Sequence, residues 1–447
     1  MRASDTFELP NEILNEICSR FCWHCQGCHD KRQSIGLTLT QRERLAEGTR
    51  NLATLRRTSK IFCAAATDHL FHTLFIHANH KQPVVTLLQT LITTPSFGQT
   101  ARILILEPVY PDNEEISERD AALFEKAAAT HHLTLPDGWH ERDAVNNEYP
   151  RETGYVITQL LLLQLPNIEE MAITLTLHGL DILSDWVTTA NSRPLFNALS
   201  SLSVEHWDTE GGFHMSNLSP ILSLAPNLSA LYGTRCASAN PTLEIANVTN
   251  LSLTFSDLTG TDLESLIISC RELRSFTYCW DDMYEYGPVD DFPRPSAIVE
   301  ALHSRHQRSL RTLALYFGHT EAWTSGGDLI GEMPAFDGLE NLLLNVESFT
   351  QVDNQNGVPL LRTLPKTLKR ACFINDLDRI HADLLWIARK IPSGSLPNLQ
   401  EVGLNCNLVV SYGTTSRFTD LEQEVEEALV NVGVAFSPML IWSSYNW

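Results

Sequence analysis

Four soft side chains fall within eight residues near the start of the chain: Cys22, Cys25, Cys28 and His29, in the run Phe21-Cys22-Trp23-His24-Cys25-Gln26-Gly27-Cys28-His29. Thiolate and imidazole donors at this density are of the kind Zn²⁺ takes tetrahedrally. The common two-knuckle site draws its second pair from a dozen or more residues away, which this spacing does not offer. Closing a tetrahedron from so short a run strains the backbone, and Cys18 or His24 could replace one ligand. The plainer reading is a cysteine-rich helix end in a reduced protein, with no metal or other cofactor expected. His131-His132, beside Leu133, lacks further ligands and reads as part of a solvated loop. Asp281-Asp282 and Asp290-Asp291 are paired carboxylates without a geometric context, an ordinary surface composition. The chain contains no GxSxG, HExxH, GxxxxGK[ST] or GxGxxG. A protein that is not itself an enzyme is expected.

A length of 447 residues exceeds one ordinary core and implies several domains or an extended repeat array. With 43% hydrophobic residues the chain has enough apolar surface to fold. The densest apolar run, Leu160-Leu161-Leu162-Leu163, is cut by Gln164 and Pro166, so no membrane span is expected. The first residues show no basic stretch leading into an apolar core, so the expectation is an intracellular protein of the cytoplasm or nucleus. Five of ten cysteines precede residue 64 and the rest are scattered, which fits a reducing compartment better than a disulfide framework. Residues 1–70 carry 10 Lys/Arg against 8 Asp/Glu, leaving 22 against 46 for the remainder. That acidity repels phosphate backbones, excludes nucleic acid as the expected ligand, and favours a basic or neutral partner.

The elements that would position these groups begin with Leu9-Pro10-Asn11-Glu12-Ile13-Leu14-Asn15-Glu16-Ile17. Leu9, Ile13, Leu14, Ile17 and Phe21 share one helical face. Pro10 suits a first helical position, where its missing N–H costs nothing. So short a helix needs a surface to lie against. Residues 30–50 are polar and basic and read as a loop or loose helix. A second amphipathic helix is expected from Asn51 as N-cap, with Leu52, Leu55, Ile61 and Phe62 on its apolar side.

These two stretches together resemble an F-box. The family pattern is LPxEIL, a short helix, then a leucine-rich segment closing on a Ser-Lys-Phe type element, here Ser59-Lys60-Ile61-Phe62. Cys22, His24 and Cys25 are similar to a variant seen in filamentous-fungal F-box proteins. The chain departs from compact members by an insertion of about 25 residues between the helical parts. The resemblance implies docking on a Skp-type adaptor, and through it a cullin, by Leu9, Pro10, Ile13, Leu14, Ile17, Leu52 and Leu55.

From residue 71 onward a pattern of apolar–x–x–apolar–x–apolar recurs. It is read at Phe71-Leu74-Ile76, Thr100-Ile103-Ile105, Ile168-Met171-Ile173, Leu199-Leu202-Val204, Leu228-Leu231 and Val248-Leu251-Leu253. It continues at Leu273-Phe276-Tyr278, Leu310-Leu313-Leu315, Leu339-Leu342-Leu344, Leu368-Ala371-Phe373 and Leu399-Val402-Leu404. Most steps are 29 or 31 residues, the period of a leucine-rich repeat with one strand and one helix each. Segments such as 83–91 and 262–268 supply the helices. The expected fold is α/β: a helical F-box at 1–75, with an inserted loop at about 23–50, before an irregular leucine-rich-repeat solenoid at 76–447. Parallel strands would line its concave side and helices its convex side.

Residues 107–152, with 12 Asp/Glu and 4 Lys/Arg, read as an acidic surface insertion, helical around 121–129 and ordering on contact with a partner. Aromatics after the strands, Trp207, Trp280, Tyr284, Tyr286 and Trp323, are the candidate anchors for a protein target. Their alternative role is to cap each repeat's own core. The apolar end of the chain, Phe436 to Trp442, is expected to fold back over the last repeat. The expected function is a substrate-recognition subunit of an SCF-type cullin–RING ubiquitin ligase, serving ubiquitin-dependent degradation of a protein target. The alternative is a leucine-rich-repeat binding scaffold unconnected to ubiquitin, with the N-terminal helices as its cap.

Overall fold

Short apolar strands separated by returning helices must run parallel, and every ladder among the described residues does. The computed structural model describes residues 9–27, 39–76, 84–107, 116–141, 151–175, 195–206, 212–239, 243–280, 293–317, 329–330, 333, 335–345, 364–374, 377–405 and 415–437. The chain is α/β and divides into two compact units, Met1–Trp207 with Asn217–Leu228, and Asp208–Ser216 with Ser229–Trp447.

The first unit opens with α1 (Asn11–Ser19), α2 (Leu39–Thr58) and α3 (Lys60–Phe71). It continues through β1 (Thr73–Ile76), α4 (Val84–Thr93), α5 (Pro95–Thr100), β2 (Ile103–Leu106), α6 (Glu118–Thr130), α7 (Arg151–Leu163), β3 (Glu170–Leu175) and β4 (Ser201–His206), with α8 at Ser219–Leu224. The strands lie in chain order, so Leu74, Leu104, Met171 and Leu202 stand in one row and Ile76, Leu106, Ile173 and Val204 in another. All eight are buried.

The second unit comprises β5 (Phe213–His214), β6 (Ala230–Thr234), β7 (Cys236–Ser238), β8 (Asn250–Thr254), α9 (Gly260–Ser269), β9 (Ser275–Trp280), α10 (Pro295–His306) and β10 (Thr312–Phe317). It ends with β11 (Asn341–Asn345), β12 (Arg370–Ile374), α11 (Leu377–Lys390), β13 (Glu401–Asn405), α12 (Thr415–Val430) and β14 (Ala435–Ser437). Its main ladder runs β6-β8-β9-β10-β11-β12-β13-β14, and β5 pairs separately with β7. Leu231, Leu251, Phe276, Leu313, Leu342, Ala371 and Val402 form one continuous buried row. Thr312, Asn341 and Arg370 pair at successive steps of 29 residues, and Glu401 follows after 31. Between repeats the core is tied by buried polar groups: His306 accepts from Leu273 N at 3.2 Å and donates to Ile267 O at 3.0 Å.

Three features depart from the sequence-based expectation. In the second repeat Leu104 and Leu106, not Ile103 and Ile105, align with Leu74 and Ile76. A slip of one residue exchanges the faces of a strand, and an all-apolar Ile-Leu-Ile-Leu run carries no alternation to fix the phase. The run is apolar throughout because Trp23 and Leu45 cover Ile103 and Ile105 on the second face. Secondly, α2 passes straight through Asn51; the break comes at Ser59, whose hydroxyl accepts from Phe62 N at 3.2 Å and caps α3. Thirdly, the acidic segment forms the helix expected around 121–129 but is integral where it is described. Ser117 caps α6, whose Ala121, Phe124, Ala127 and Ala128 are buried, and Trp139 beyond it is buried against Phe124. Ala435–Ser437, the described start of the apolar C-terminal stretch, adds a parallel strand beside β13, and 438–447 lie outside the described residues. No helix among the described residues is long and apolar enough to cross a membrane.

Candidate functional site

The N-terminal helices hold two groups of interest: exposed aliphatic side chains on α1 and α3, and a cysteine–histidine cluster at their far ends. On α1, Pro10 stands at the N-cap and Glu12 sits in the first turn, where the helix dipole favours a carboxylate. Leu14 and Cys18 point inward at 1% and 0% exposure. Cys18, Cys22, Leu52 and Ala66 make the module's core, with Phe21, Leu55, Phe62, Ala65 and Leu70 packed on it.

The seven residues for which the F-box resemblance implies adaptor contact therefore separate. Leu14 and Leu52 are buried and Leu55 packs on the core, so these three shape the module from within. Leu9 and Ile17 are half-buried and Pro10 is exposed. Ile13 is 46% exposed, and Ile61 on α3, which the sequence did not single out for this role, is 44% exposed. Ile13 and Ile61 thus lie on helices that contact one another, and each leaves an aliphatic side chain open to solvent.

The cluster forms where α1 ends. Its helix closes at Ser19, and a turn follows in which Gln26 N bonds Cys22 O and Gly27 N bonds His24 O, both at 3.0 Å. Gly27 sits at φ +60°, a left-handed conformation that glycine adopts without strain. Gly48 of α2 lies against this turn so closely that a Cβ there would strike the Phe21 carbonyl. The turn brings Cys22 and Cys25 to the end of α3. Cys22 Sγ is 3.6 Å from His72 Nδ1, and Cys25 Sγ is 3.4 Å from His72 Nδ1, 3.4 Å from His69 Nδ1 and 3.7 Å from His24 Nδ1. The donor atoms of Cys22, His24, Cys25 and His72 all lie within 4.8 Å of one another. Cys28 and His29, the other two sequence candidates, lie outside the described residues.

His72 and His69 are the members that sequence reasoning missed. They lie 47 and 44 residues from Cys25, beyond any local motif. The available signal was the pair itself, two histidines three apart at the end of a helix and so on one face.

The shifts within the cluster run against a thiolate–imidazolium pair. Burial pushes the Cys22 thiol up to about 12 and raises Cys25 as well. Burial, with the neighbouring His69, His24 and Arg102, pulls His72 down to about 4, and burial lowers His69. A thiolate–imidazolium pair needs the opposite shifts.

Of the candidate target contacts, Trp207, Tyr284, Tyr286 and Trp323 lie outside the described residues, as do both aspartate pairs. Trp280 is described and is only 2% exposed, so it offers little surface in the chain alone. Phe255 does offer one: it is 46% exposed just past β8, with φ +50°. A groove of about 730 Å³ in the second unit is lined by Arg274, Arg305, Arg308 and Arg311 with Glu272. It is a basic spot in an otherwise acidic region.

No protein-family model matches the chain, and no curated protein matches it significantly.

Proposed function

We propose that the chain is a substrate-recognition subunit of an SCF-type cullin–RING ubiquitin ligase, its N-terminal helices an F-box and its strands irregular leucine-rich repeats. The observation that carries this is that Ile13 and Ile61, on helices that contact one another and within the stretches that match the F-box pattern, are 46% and 44% exposed. In this reading Ile13 and Ile61, with Leu9, Pro10 and Ile17 beside them, meet a Skp-type adaptor. Leu14, Leu52 and Leu55 hold the helices that present them. The repeats bind the protein target, and tethering raises the local concentration of its lysines near the charged conjugating enzyme. The bond-making groups then belong to partner subunits, so the chain is a non-catalytic component.

The experiment is co-purification of the full chain with adaptor and cullin, compared with Ile13→Asp plus Ile61→Asp. Both positions are at the surface, so the variant folds and loses the adaptor. Equal recovery of adaptor by both proteins, or by neither, rejects the reading. The alternative, a scaffold whose N-terminal helices only cap the array, draws on Trp23 and Leu45 packing over Ile103 and Ile105. It predicts a folded protein that never recovers the adaptor.

A further inference from the structure

We propose that Cys22, His24, Cys25 and His72 form a structural zinc site that ties the turn after α1 to the junction of α3 and β1. The inference is independent of any ubiquitin-ligase role and rests on three observations.

The first is distance. Zinc bonds of about 2.3 Å to sulfur and about 2.0–2.1 Å to nitrogen, at tetrahedral angles, separate sulfur from nitrogen by about 3.6 Å. The sulfur–nitrogen separations here are 3.6 Å for Cys22 to His72, 3.4 Å for Cys25 to His72 and 3.7 Å for Cys25 to His24. The second is convergence. Cys25 Sγ has the Nδ1 atoms of His24, His69 and His72 within 3.7 Å. The donor atoms of Cys22, His24, Cys25 and His72 lie within 4.8 Å of one another, a set of soft donors gathered round one point. The third is support from outside the cluster. His24 Nε2 lies 3.8 Å from Glu169 Oε2, a carboxylate also met by Arg102 Nε at 3.3 Å. Carboxylates behind ligating histidines orient the ring once they accept its N–H, and the 3.8 Å gap here leaves that bond to form on binding. The His72 carbonyl accepts from Arg102 N and Ile103 N at 2.9 Å each, which fixes this ligand to β2.

Two sulfurs and two nitrogens select zinc over the hard cations, and four protein ligands close the site to substrate. The role is therefore a staple between segments, without catalysis. The fourth place goes to His24, whose donor lies within 4.8 Å of the other three. His69 stays beside the site.

The test uses the full chain produced in zinc-supplemented medium. Elemental analysis should find one zinc per chain, and X-ray absorption at the zinc edge should show two sulfur and two nitrogen neighbours. Cys22→Ser plus Cys25→Ser should carry no zinc. His24→Ala should weaken retention against a chelator by more than about 100-fold, more than loss of a second-shell partner costs, while His69→Ala leaves it unchanged. Absence of stoichiometric zinc, a shell without sulfur, or metal retained by the double serine variant overturns the proposal. Release by His69→Ala in place of His24→Ala overturns the ligand set. The absorption measurement needs only the native sequence, so a variant that fails to fold does not blunt it.

Discussion

From Leu231 to Val402 the second unit repeats one contact, an inward aliphatic or aromatic residue stacked on its equivalent in the next strand. In the N-terminal helices nothing repeats. Cys18, Cys22, Leu52 and Ala66 make one small core, Gly48 admits one close approach, and a histidine far along the chain completes one cluster. The array is thus built from interchangeable contacts between neighbours. The module is built from single contacts that have no substitute. The same difference separates what each can do: a stacked row holds a long surface in place, and a small module with aliphatics left outside is suited to being held.

The comparison can be strained from both sides. The largest effect is expected in the array. Phe276 is 0% exposed in the middle of its row, and Phe276→Ala should cost about 3–5 kcal/mol in chemical denaturation. Hydrogen exchange should place the damage around β8–β10 and spare the N-terminal helices. Gly48→Val comes next. It forces α2 away from the Phe21 carbonyl, at about 1–3 kcal/mol, the typical cost of overpacking. Exchange should then rise in residues 11–27 and stay unchanged in β10–β12. Uniform loss in either variant would show that the two regions unfold as one.

A smaller effect concerns pH. Burial holds His306 below the ordinary histidine range, so it is neutral in the folded chain. The unfolded chain takes up that proton near pH ~6.5. The stabilising contribution is therefore complete above that pH and is lost as pH falls toward the lowered folded value. His306→Gln should flatten the stability profile across this window, and an unchanged slope would count against the assignment. The smallest effect is Ile13→Asp, an exposed position whose replacement should alter stability by less than about 0.5 kcal/mol. A larger loss would mean that Ile13 faces the chain's own core.

How much was legible in the sequence follows the same division. Repetition made the array readable: Leu313, Leu342 and Ala371 stand where a 29-residue spacing puts them, and α4 and α9 cover the segments expected to be helical. The reading slipped at Ile103–Leu106, where burial on two faces erased the alternation that sets phase. It also underrated the acidic segment, because charge on the outer side of α6 masks the alanines and Phe124 that bury its inner side. In the module the continuous α2 was hidden by its polar composition, although Gln, Arg, Glu and Ala are good helix formers. Leu45, the anchor within that stretch, stands alone among charges. The cluster showed only its local half, since His72 belongs to another helix's end and no spacing rule links it to Cys25.

The central claim is that the N-terminal helices dock a partner while the repeats remain available for another. Hydrogen exchange on the full chain, with and without a purified Skp-type adaptor, tests it most directly. The account predicts slowed exchange at residues 9–19 and 60–66 with no change in β8–β13. No protection at those helices, or protection falling on the strands of the second unit, would contradict it.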